Sequence, residues 1–209
     1  MISKLRYITK MSLFKTIFYS VKFKCKVIIG KQVKMQIAKK SKIIISDNKG
    51  YLSVGVKTNL PQGTILELGE NSILKVNGKA DIFKGSKVVV GKNAIMEIGN
   101  NTFINEHCKI VCQKSINIGS NCAIAWNVNI IDTDYHNVII DNQIKTKEKP
   151  IVIGDHVWIG CNSTILKGTH ISKNSVIGAG SVVSGNVDSN CLYGGVIANK
   201  IRKDVDWKL

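Results

Sequence analysis

A six-residue interval, repeated without a break, restricts the fold of this 209-residue chain more than any other feature. Large aliphatic residues occupy every sixth position from Ile153 to Val183, and a small or β-branched residue follows each of them four positions later. The same template occurs earlier, around Ile98 and Ile118. Six residues match neither the 3.6-residue period of an α-helix nor the two-residue alternation of a flat strand. The repeat therefore indicates a fold in which each hexad is a structural unit.

Short parallel strands wound as a solenoid explain this interval. Each hexad would form one side of a coil, three sides would give about 18 residues per coil, and the aliphatic side chains would stack in one column. The 32 Ile and 20 Val against 10 Leu favour an all-β fold, because β-branched side chains suit pleated, half-buried backbone. Glycine often follows the large aliphatic residue, and there we expect a sharp bend or a positive φ. These glycines are Gly99, Gly119, Gly154, Gly160 and Gly178.

Positive charge is concentrated at the start of the chain. Residues 1–50 contain 13 Lys and Arg and one acidic residue, whereas residues 51–209 contain 17 bases and 13 acids. In the basic segment Phe14, Ile17, Phe18 and Val21 recur at helical spacing. Two interpretations remain open: a helix that caps one end of the fold, which we favour, and a contact through residues 1–24 with an anionic membrane surface or a polyanionic acceptor. We expect no nucleic-acid binding, because no recognised binding module or aromatic array accompanies the charge.

The sequence does not predict export or a membrane span. Every apolar run is shorter than the roughly 18 to 20 residues that cross a bilayer, and the basic start lacks the apolar core of a signal peptide. We therefore expect a cytoplasmic chain, with peripheral contact on the inner face of the membrane as the open alternative. Six scattered cysteines indicate reduced, mostly buried thiols rather than a disulfide scaffold. Cys108 and Cys112 lack a second Cys or His pair at zinc spacing, so we expect no metal.

Three segments carry a resemblance to a known family: INIGSNCAIAWNVNIIDTDYHNV (116–138), PIVIGDHVWIGCNSTILKGTHISKNSVIGAGSVVSGNV (150–187) and GGVIANKIR (194–202). They resemble the hexapeptide-repeat acyltransferases, in particular the sugar O-acetyltransferases of bacterial capsule and lipopolysaccharide synthesis. The resemblance implies a left-handed parallel β-helix of hexapeptide repeats, a homotrimer, and acetyl-CoA bound between adjacent subunits. We expect a basic N-terminal segment with helical and irregular extended parts (1–64), the β-helix (65–187) with an inserted loop (137–150), and a C-terminal tail (188–209).

The resemblance points to His136 as the catalytic base. Transfer of an acetyl group to a sugar hydroxyl requires that a proton leave an alcohol that is neutral at pH 7, and a neutral imidazole can accept it. His136 ends the segment in which the regular hexads stop. Asp132 or Asp134 would orient the ring and stabilise the imidazolium, as the acid of a catalytic triad does. For each aspartate the structural alternative is a carboxylate that binds backbone amides at a turn.

The resemblance also assigns donor and acceptor contacts. Five positions match family residues that meet coenzyme A, through the pantetheine arm, the adenine end or a phosphate: Trp158, Cys161, Ala179, Ser184 and Arg202. Lys200 lies close to Arg202 in the sequence and is a further candidate for a phosphate contact. Trp126 and Asn127, one coil before the base, are candidate acceptor contacts. The other histidines, His107, His156 and His170, fall between inward hexad positions, where solvated corners are expected.

The sequence thus predicts direct acetyl transfer from acetyl-CoA to a sugar hydroxyl, because no serine lies in a nucleophile elbow and no cysteine lies beside a base. The acceptor would be a sugar, a nucleotide sugar or a glycan of cell-surface polysaccharide synthesis. The alternatives are an N-acetyltransferase of an amino-sugar nucleotide, a serine acetyltransferase, and a zinc-dependent hydratase that resembles the carbonic anhydrases of the same fold.

Overall fold

The computed structural model describes residues 10–57 and 62–208. In this part of the chain one short helix precedes a succession of short strands, and successive strands join three different parallel sheets in turn. The chain therefore winds as a parallel β-helix of triangular section, with the three sheets as its sides. A small antiparallel pair lies outside the coils and consists of β15 (Ile139–Ile140) and β16 (Gln143–Ile144).

Each sheet is formed by every third strand of the β-helix. Sheet 1 contains β1 (Val27–Ile29), β4 (Tyr51–Val54), β7 (Lys79–Ile82), β10 (Thr102–Ile104), β13 (Ala123–Ile124), β18 (Trp158–Ile159), β21 (Val176–Ile177), β24 (Cys191–Gly194) and the antiparallel β25 (Asn199–Lys203). Sheet 2 contains β2 (Val33–Ile37), β5 (Thr64–Leu68), β8 (Lys87–Val90), β11 (Lys109–Cys112), β14 (Asn129–Ile131), β19 (Thr164–Leu166) and β22 (Val182–Val183). Sheet 3 contains β3 (Lys42–Ile45), β6 (Ile73–Val76), β9 (Ile95–Ile98), β12 (Ser115–Ile118), β17 (Ile151–Ile153), β20 (His170–Ile171) and β23 (Asn186–Val187).

The hexad aliphatics point into the prism, as the repeat predicts. The residues from Ile153 to Val183 at six-residue spacing are at most 1% exposed. Equivalent positions stack from coil to coil, since Ile124 pairs with Ile159 and Ile159 pairs with Ile177. One continuous apolar core therefore runs the length of the prism.

At several hexads the small residue has a hydroxyl or thiol that bonds the backbone of a neighbouring coil. The hydroxyl of Thr102 donates to the Gly119 carbonyl oxygen at 2.7 Å, and that of Ser163 donates to the Gly178 carbonyl oxygen at 3.0 Å. Two buried thiols take the same role, because Cys108 Sγ lies 3.0 Å from the Ala125 carbonyl oxygen and Cys122 Sγ lies 3.1 Å from that of Gly154. All six cysteines are free. Burial raises the pKa of Cys108 to about 12 and that of Cys122 to about 11.

None of the five corner glycines has a positive φ, and four of them, Gly99, Gly119, Gly154 and Gly160, instead allow the next coil to pack closely. The expected positive φ is therefore wrong at these positions. A Cβ built on Gly119 would lie 2.5 Å from the Gly154 carbonyl carbon of the next coil. The left-handed conformation falls two residues later, at Asn121 (φ 57°) after Gly119 and at His156 (φ 56°) after Gly154. Asparagine tolerates this conformation better than most residues, which explains its frequency at these corners.

The β-helix begins earlier than residue 65. The first strands of all three sheets, β1, β2 and β3, pair in regular parallel register with the next coil. Paired residues of sheet 1 are 25 positions apart in the first coil (Val27 and Leu52) but 18 apart at Ile159 and Ile177. Longer corners therefore hide the six-residue period in the early coils.

The N-terminal helix α1 (Leu13–Phe23) caps the first coil. Edge strand β1 would otherwise leave backbone groups without partners. Thr16 Oγ1 accepts from the Ile29 N–H at 3.0 Å, and Ser20 Oγ bonds both the N–H and the carbonyl oxygen of Val27. In the described residues, 10–57 and 62–208, no helix has the length and apolar character that crossing a membrane requires.

Candidate active site

The regular winding is interrupted between β14 and β17 by residues 132–150. This segment leaves the edge between sheets 2 and 3 as an antiparallel arm: Thr133 pairs with Glu148 at its base, and β15 pairs with β16 near its tip. The arm begins five residues before the insertion expected at 137–150. Four large apolar side chains of the arm are 42% to 67% exposed, namely Val138, Ile139, Ile140 and Ile144.

Asp132 anchors the base of the arm. Its side chain is fully buried, and its two carboxylate oxygens accept from the backbone N–H groups of Gln113 at 2.7 Å and Lys114 at 2.8 Å. Burial raises the pKa of Asp132, and the bonds from these amides oppose that shift. Among the described residues no hydrogen bond joins it to His136. The structure therefore shows the amide-binding role of Asp132 at a turn.

Asp134 ties the arm to the following coil. Its carboxylate forms an ion pair with Lys167, which lies at the corner after β19. Lys167 Nζ also donates to the Thr146 carbonyl oxygen at 2.6 Å, so both strands of the arm are held. Lys167 was not predicted as a site residue, because a lysine between two hexad positions has no distinguishing signal in the sequence.

His136 occupies a tight turn on the arm. Tyr135 has φ 60° and donates its N–H to Thr133 Oγ1 at 2.9 Å, and the His136 N–H donates to the Asp134 carbonyl oxygen at 2.6 Å. The residue is exposed, and no hydrogen bond to its imidazole is present in the part of the chain that the structure describes. The geometry therefore presents a solvent-accessible imidazole at the edge between sheets 2 and 3.

A wide apolar groove of about 570 Å³ lies on the outer face of sheet 1 and its edge with sheet 2. Four residues expected from sequence line it: Trp126, Trp158, Cys161 and Ala179. The two indoles are about half exposed, at 51% for Trp126 and 43% for Trp158. Asn127 is an exposed corner residue beside Trp126 and has φ 57°, so its backbone conformation explains its presence.

The C-terminal tail forms one wall of this groove, which the sequence analysis did not anticipate. Trp207 is 8% exposed and packs with Ala123 and Val176 of sheet 1. Its Nε1 donates to the His156 carbonyl oxygen at 2.9 Å, and its ring lies 6.2 Å from that of Trp158. A single aromatic residue in the polar ending KDVDWKL is the only signal of this contact in the sequence.

The three remaining donor candidates lie in different places. Arg202 pairs with Leu192, which lines the groove, so the backbone of Arg202 lies beside the groove. Lys200 instead forms an ion pair with Asp188, which lowers the pKa of that carboxyl and raises that of the lysine. Ser184 is exposed at the corner after β22, on the edge between sheets 2 and 3.

The predicted site is therefore divided between two edges of one prism. His136, its neighbouring aspartates and Ser184 lie on the edge between sheets 2 and 3. Trp126, Cys161 and Ala179 lie on the edge between sheets 1 and 2. Sheet 2 separates these edges, so one copy of the chain does not bring the imidazole to the apolar groove.

The other histidines take structural or solvated positions. His107 has φ 58° at a corner and His170 is exposed on β20. The ring of His156 stacks on Trp207, and its Nε2 lies 3.0 Å from Asp206 Oδ1. Residues 10–57 and 62–208 contain no group of three or more His, Cys, Asp and Glu side chains placed to hold a metal ion.

The coils that complete the groove carry a recognised repeat. Residues 150–185 match the family model described as bacterial transferase hexapeptide, six repeats. The chain therefore contains hexapeptide repeats of this type in residues 150–185. The resemblance drawn from the sequence is thereby confirmed.

Curated relatives of this hexapeptide-repeat chain include named O-acetyltransferases. The putative lipopolysaccharide biosynthesis O-acetyl transferase WbbJ of Escherichia coli (strain K12) is 33% identical over 110 residues, which are 48% of this chain and 56% of that protein. The galactoside O-acetyltransferase of the same strain is 38% identical over 101 residues, which are 47% of this chain and 49% of that protein. The chain spans about half the length of the curated relatives it matches.

Solved structures establish the fold of the hexapeptide-repeat chain over most of its length. The polySia specific acetyltransferase NeuO matches with a TM-score of 0.60 and covers 85% of this chain and 89% of that one. The polysialic acid O-acetyltransferase OatWY matches with a TM-score of 0.56 over 85% of this chain and 88% of that one. Both are 23% identical to this chain. These likenesses confirm the left-handed parallel β-helix.

Proposed function

We propose that this chain is an acetyl-CoA-dependent O-acetyltransferase that esterifies a sugar hydroxyl of a cell-surface polysaccharide precursor in the cytoplasm. One observation carries the proposal: an accessible imidazole and an apolar groove lie on different edges of the same prism. Each edge holds half of an acyl-transfer site. The O-acetyltransferase names of the relatives support the choice of reaction.

Two copies complete the site in this proposal. The edge between sheets 2 and 3 of one copy meets the edge between sheets 1 and 2 of the next. Such a contact joins different surfaces, and it closes into a ring when the copies are related by rotation. Three copies of a three-sided prism give a homotrimer with three equivalent sites. The arm contributes to this contact, since its exposed apolar side chains are ones that a neighbouring subunit would cover.

The groove fits the acyl donor. Its aromatic and aliphatic walls, with Trp158 and Trp207 on one side, suit the thin apolar pantetheine arm. Lys208 lines the groove and Arg202 lies beside it on β25, and both provide positive charge for phosphates. Lys200 already pairs with Asp188, so we assign the phosphate contact to Arg202 first. The donor supplies an activated acetyl thioester.

His136 performs the proton transfers in the proposed mechanism. Its neutral imidazole accepts the proton of the acceptor hydroxyl as the oxygen bonds to the acetyl carbon. The imidazolium then returns this proton to the thiolate that leaves when the C–S bond breaks. Asp132 and Asp134 act indirectly: they hold the arm to the coils, through backbone amides and Lys167 respectively, and thereby position the imidazole.

A thiol-release assay tests the proposal. The full-length chain is mixed with acetyl-CoA and a panel of neutral sugars, nucleotide sugars and amino-sugar nucleotides, and free coenzyme A is measured with a thiol reagent. We expect release that depends on a hydroxyl acceptor, with a product that hydroxylamine cleaves as an ester. A hydroxylamine-resistant product made only from amino sugars would favour N-acetyl transfer. Absence of acceptor-dependent release across the panel, from a chain that binds acetyl-CoA, would overturn the proposal.

A further inference from the structure

The outer face of helix α1 is apolar and exposed in the part of the chain that the structure describes. Five side chains on this face are 51% to 80% exposed, and no residue of α1 is buried. The rings of Phe14 and Phe18 stack with their centroids 6.3 Å apart, one turn from each other. Together with neighbouring residues they line a shallow cavity of about 470 Å³. The five exposed side chains are Leu13, Phe14, Ile17, Phe18 and Val21.

Capping of the fold does not explain this face. The capping contacts come from the opposite side of the helix, where Thr16 and Ser20 bond to β1 and where Tyr19 and Phe23 pack on the core. The helix would cap the first coil equally well with polar residues outside. A large exposed apolar patch on a surface helix therefore indicates an interaction site.

The surroundings of the face are strongly basic. Residues 10–50 comprise α1 and the first coil, and they contain 11 lysines and one acidic residue, Asp47. Lys22 lines the apolar cavity itself, and Lys24 ends the helix. An apolar helical face flanked by lysines has the composition of helices that lie in the interface of anionic membranes.

We propose that α1 binds the surface of an anionic membrane, with its phenylalanine face among the acyl chains and the surrounding lysines against the lipid headgroups. A polyanion would satisfy the lysines but leave the apolar face in water. A second copy of the chain would cover that face but bring two strongly basic segments together at a cost in repulsion. An anionic bilayer satisfies both requirements at once.

The proposed trimer would strengthen this binding, and this step rests on the proposed function. Rotation about one axis places all three copies of α1 at the same end of the assembly. Three weak contacts on one surface then act together, because the second and third become intramolecular once the first has formed. Binding of a single helix does not depend on the trimer.

Vesicle flotation of the full-length chain tests the proposal. The probes are vesicles of phosphatidylcholine alone and of phosphatidylcholine mixed with phosphatidylglycerol. We expect binding to the anionic vesicles, weakened by high salt, and little binding to the neutral ones. The double variant Phe14→Gln with Phe18→Gln should lower the binding constant at least about tenfold, and Lys22→Gln about fivefold. Val196→Gln is the matched control: it removes a side chain that is 76% exposed, at the opposite end of the prism.

Three outcomes would overturn membrane binding by α1. In the first, the wild-type chain does not float with anionic vesicles. In the second, the phenylalanine variant floats as well as the wild type, which would show that the apolar face of α1 does not enter the bilayer. In the third, that variant lowers the oligomeric mass and leaves vesicle binding unchanged, which would assign the face to a second copy. Thiol release with a small soluble acceptor should be equal in the wild type and the variant, so failure here is distinguishable from failure of the proposed function.

Discussion

Trp207 stacks on the imidazole ring of His156, with the ring centroids 4.5 Å apart and the planes within 10°. The two residues are 51 positions apart, and the contact fixes the C-terminal tail against the outer face of sheet 1. One wall of the apolar groove therefore depends on this pair. Trp207 lines the groove and packs in a small cluster outside the main core, so its loss should alter ligand binding more than folding.

Trp207→Ala should weaken donor binding. We expect the KM for acetyl-CoA to rise about tenfold with a small change in kcat, because the variant removes a wall of the groove and leaves His136 untouched. Steady-state thiol release measures both constants. Trp207→Phe should retain most of the stacking and most of the affinity. An unchanged KM in Trp207→Ala would show that the tail is not part of the donor site.

His136→Ala should lower turnover about 100-fold or more, as loss of a general base does. The side chain is exposed, so the melting temperature and the affinity for acetyl-CoA should change little. His170→Ala is the matched control, because His170 is also exposed but lies on the regular coil β20. Equal turnover in the two variants would remove His136 from the mechanism.

Asp132→Ala should destabilise the fold, whereas Asp134→Ala should mainly loosen the arm. The first change leaves the backbone N–H groups of Gln113 and Lys114 without their acceptor and empties the buried site of the Asp132 carboxylate, at an expected cost of about 2–4 kcal/mol in the free energy of unfolding. The second removes an ion pair that is partly exposed, worth about 0–1 kcal/mol. Urea unfolding measures both values, and limited proteolysis near residue 140 reports on the arm. A loss for Asp134→Ala as large as that for Asp132→Ala would contradict these roles.

The buried thiols should make the chain less stable at alkaline pH. The folded pKa is about 12 for Cys108 and about 11 for Cys122, against an ordinary value of 9.0, so between these values the unfolded chain releases protons that the folded chain retains. The stabilising contribution is complete below pH 9 and decreases as the pH rises toward the folded pKa, by about 1.4 kcal/mol per thiol and pH unit.

Cys122→Ser provides the control for this pH dependence. Serine already occupies the equivalent hexad position at Ser163 and donates the same type of hydrogen bond, but it does not titrate in this range. Urea unfolding at pH 8 and pH 10 should therefore show a shallower loss of stability in the variant. Identical losses in the variant and the wild type would contradict the assignment of the thiol.

Gly119→Ala and Gly185→Ala should separate close packing from backbone strain. The alanine Cβ at position 119 would meet backbone atoms of the next coil at about 2.5 Å, so the coils must shift, at an expected cost of about 3 kcal/mol. Gly185 has φ 83° and no atom within 4 Å of the built Cβ, so only the backbone conformation opposes the change, at about 1 kcal/mol. Thermal unfolding ranks the two variants, and the reverse order would contradict the close-packing role of Gly119.

The sequence predictions are accurate for contacts between residues that are close along the chain or repeat at a fixed interval, and they fail for the others. The hexads place Ile159 and Ile177 in the core because a period of six is local and each coil repeats it. The sequence did not predict the first coils, because the paired residues Val27 and Leu52 are 25 residues apart. This longer interval breaks the six-residue period without changing the fold. The amide-binding role of Asp132 was one of two open alternatives, since the sequence does not show which backbone groups a carboxylate will meet.

The periodic pattern by itself determined the solenoid, the inward aliphatics, the hydroxyl and thiol positions beside them, and the segment where the winding is interrupted. These properties depend on neighbours within one or two coils, where spacing along the chain and spacing in space agree. Only the tertiary structure decided that Lys167 holds the arm, that Trp207 walls the groove and that His136 lies on a different edge from that groove. Such relations join residues that are distant along the chain or lie on different sides of a coil, and they depend on how many corner residues each turn of the prism contains.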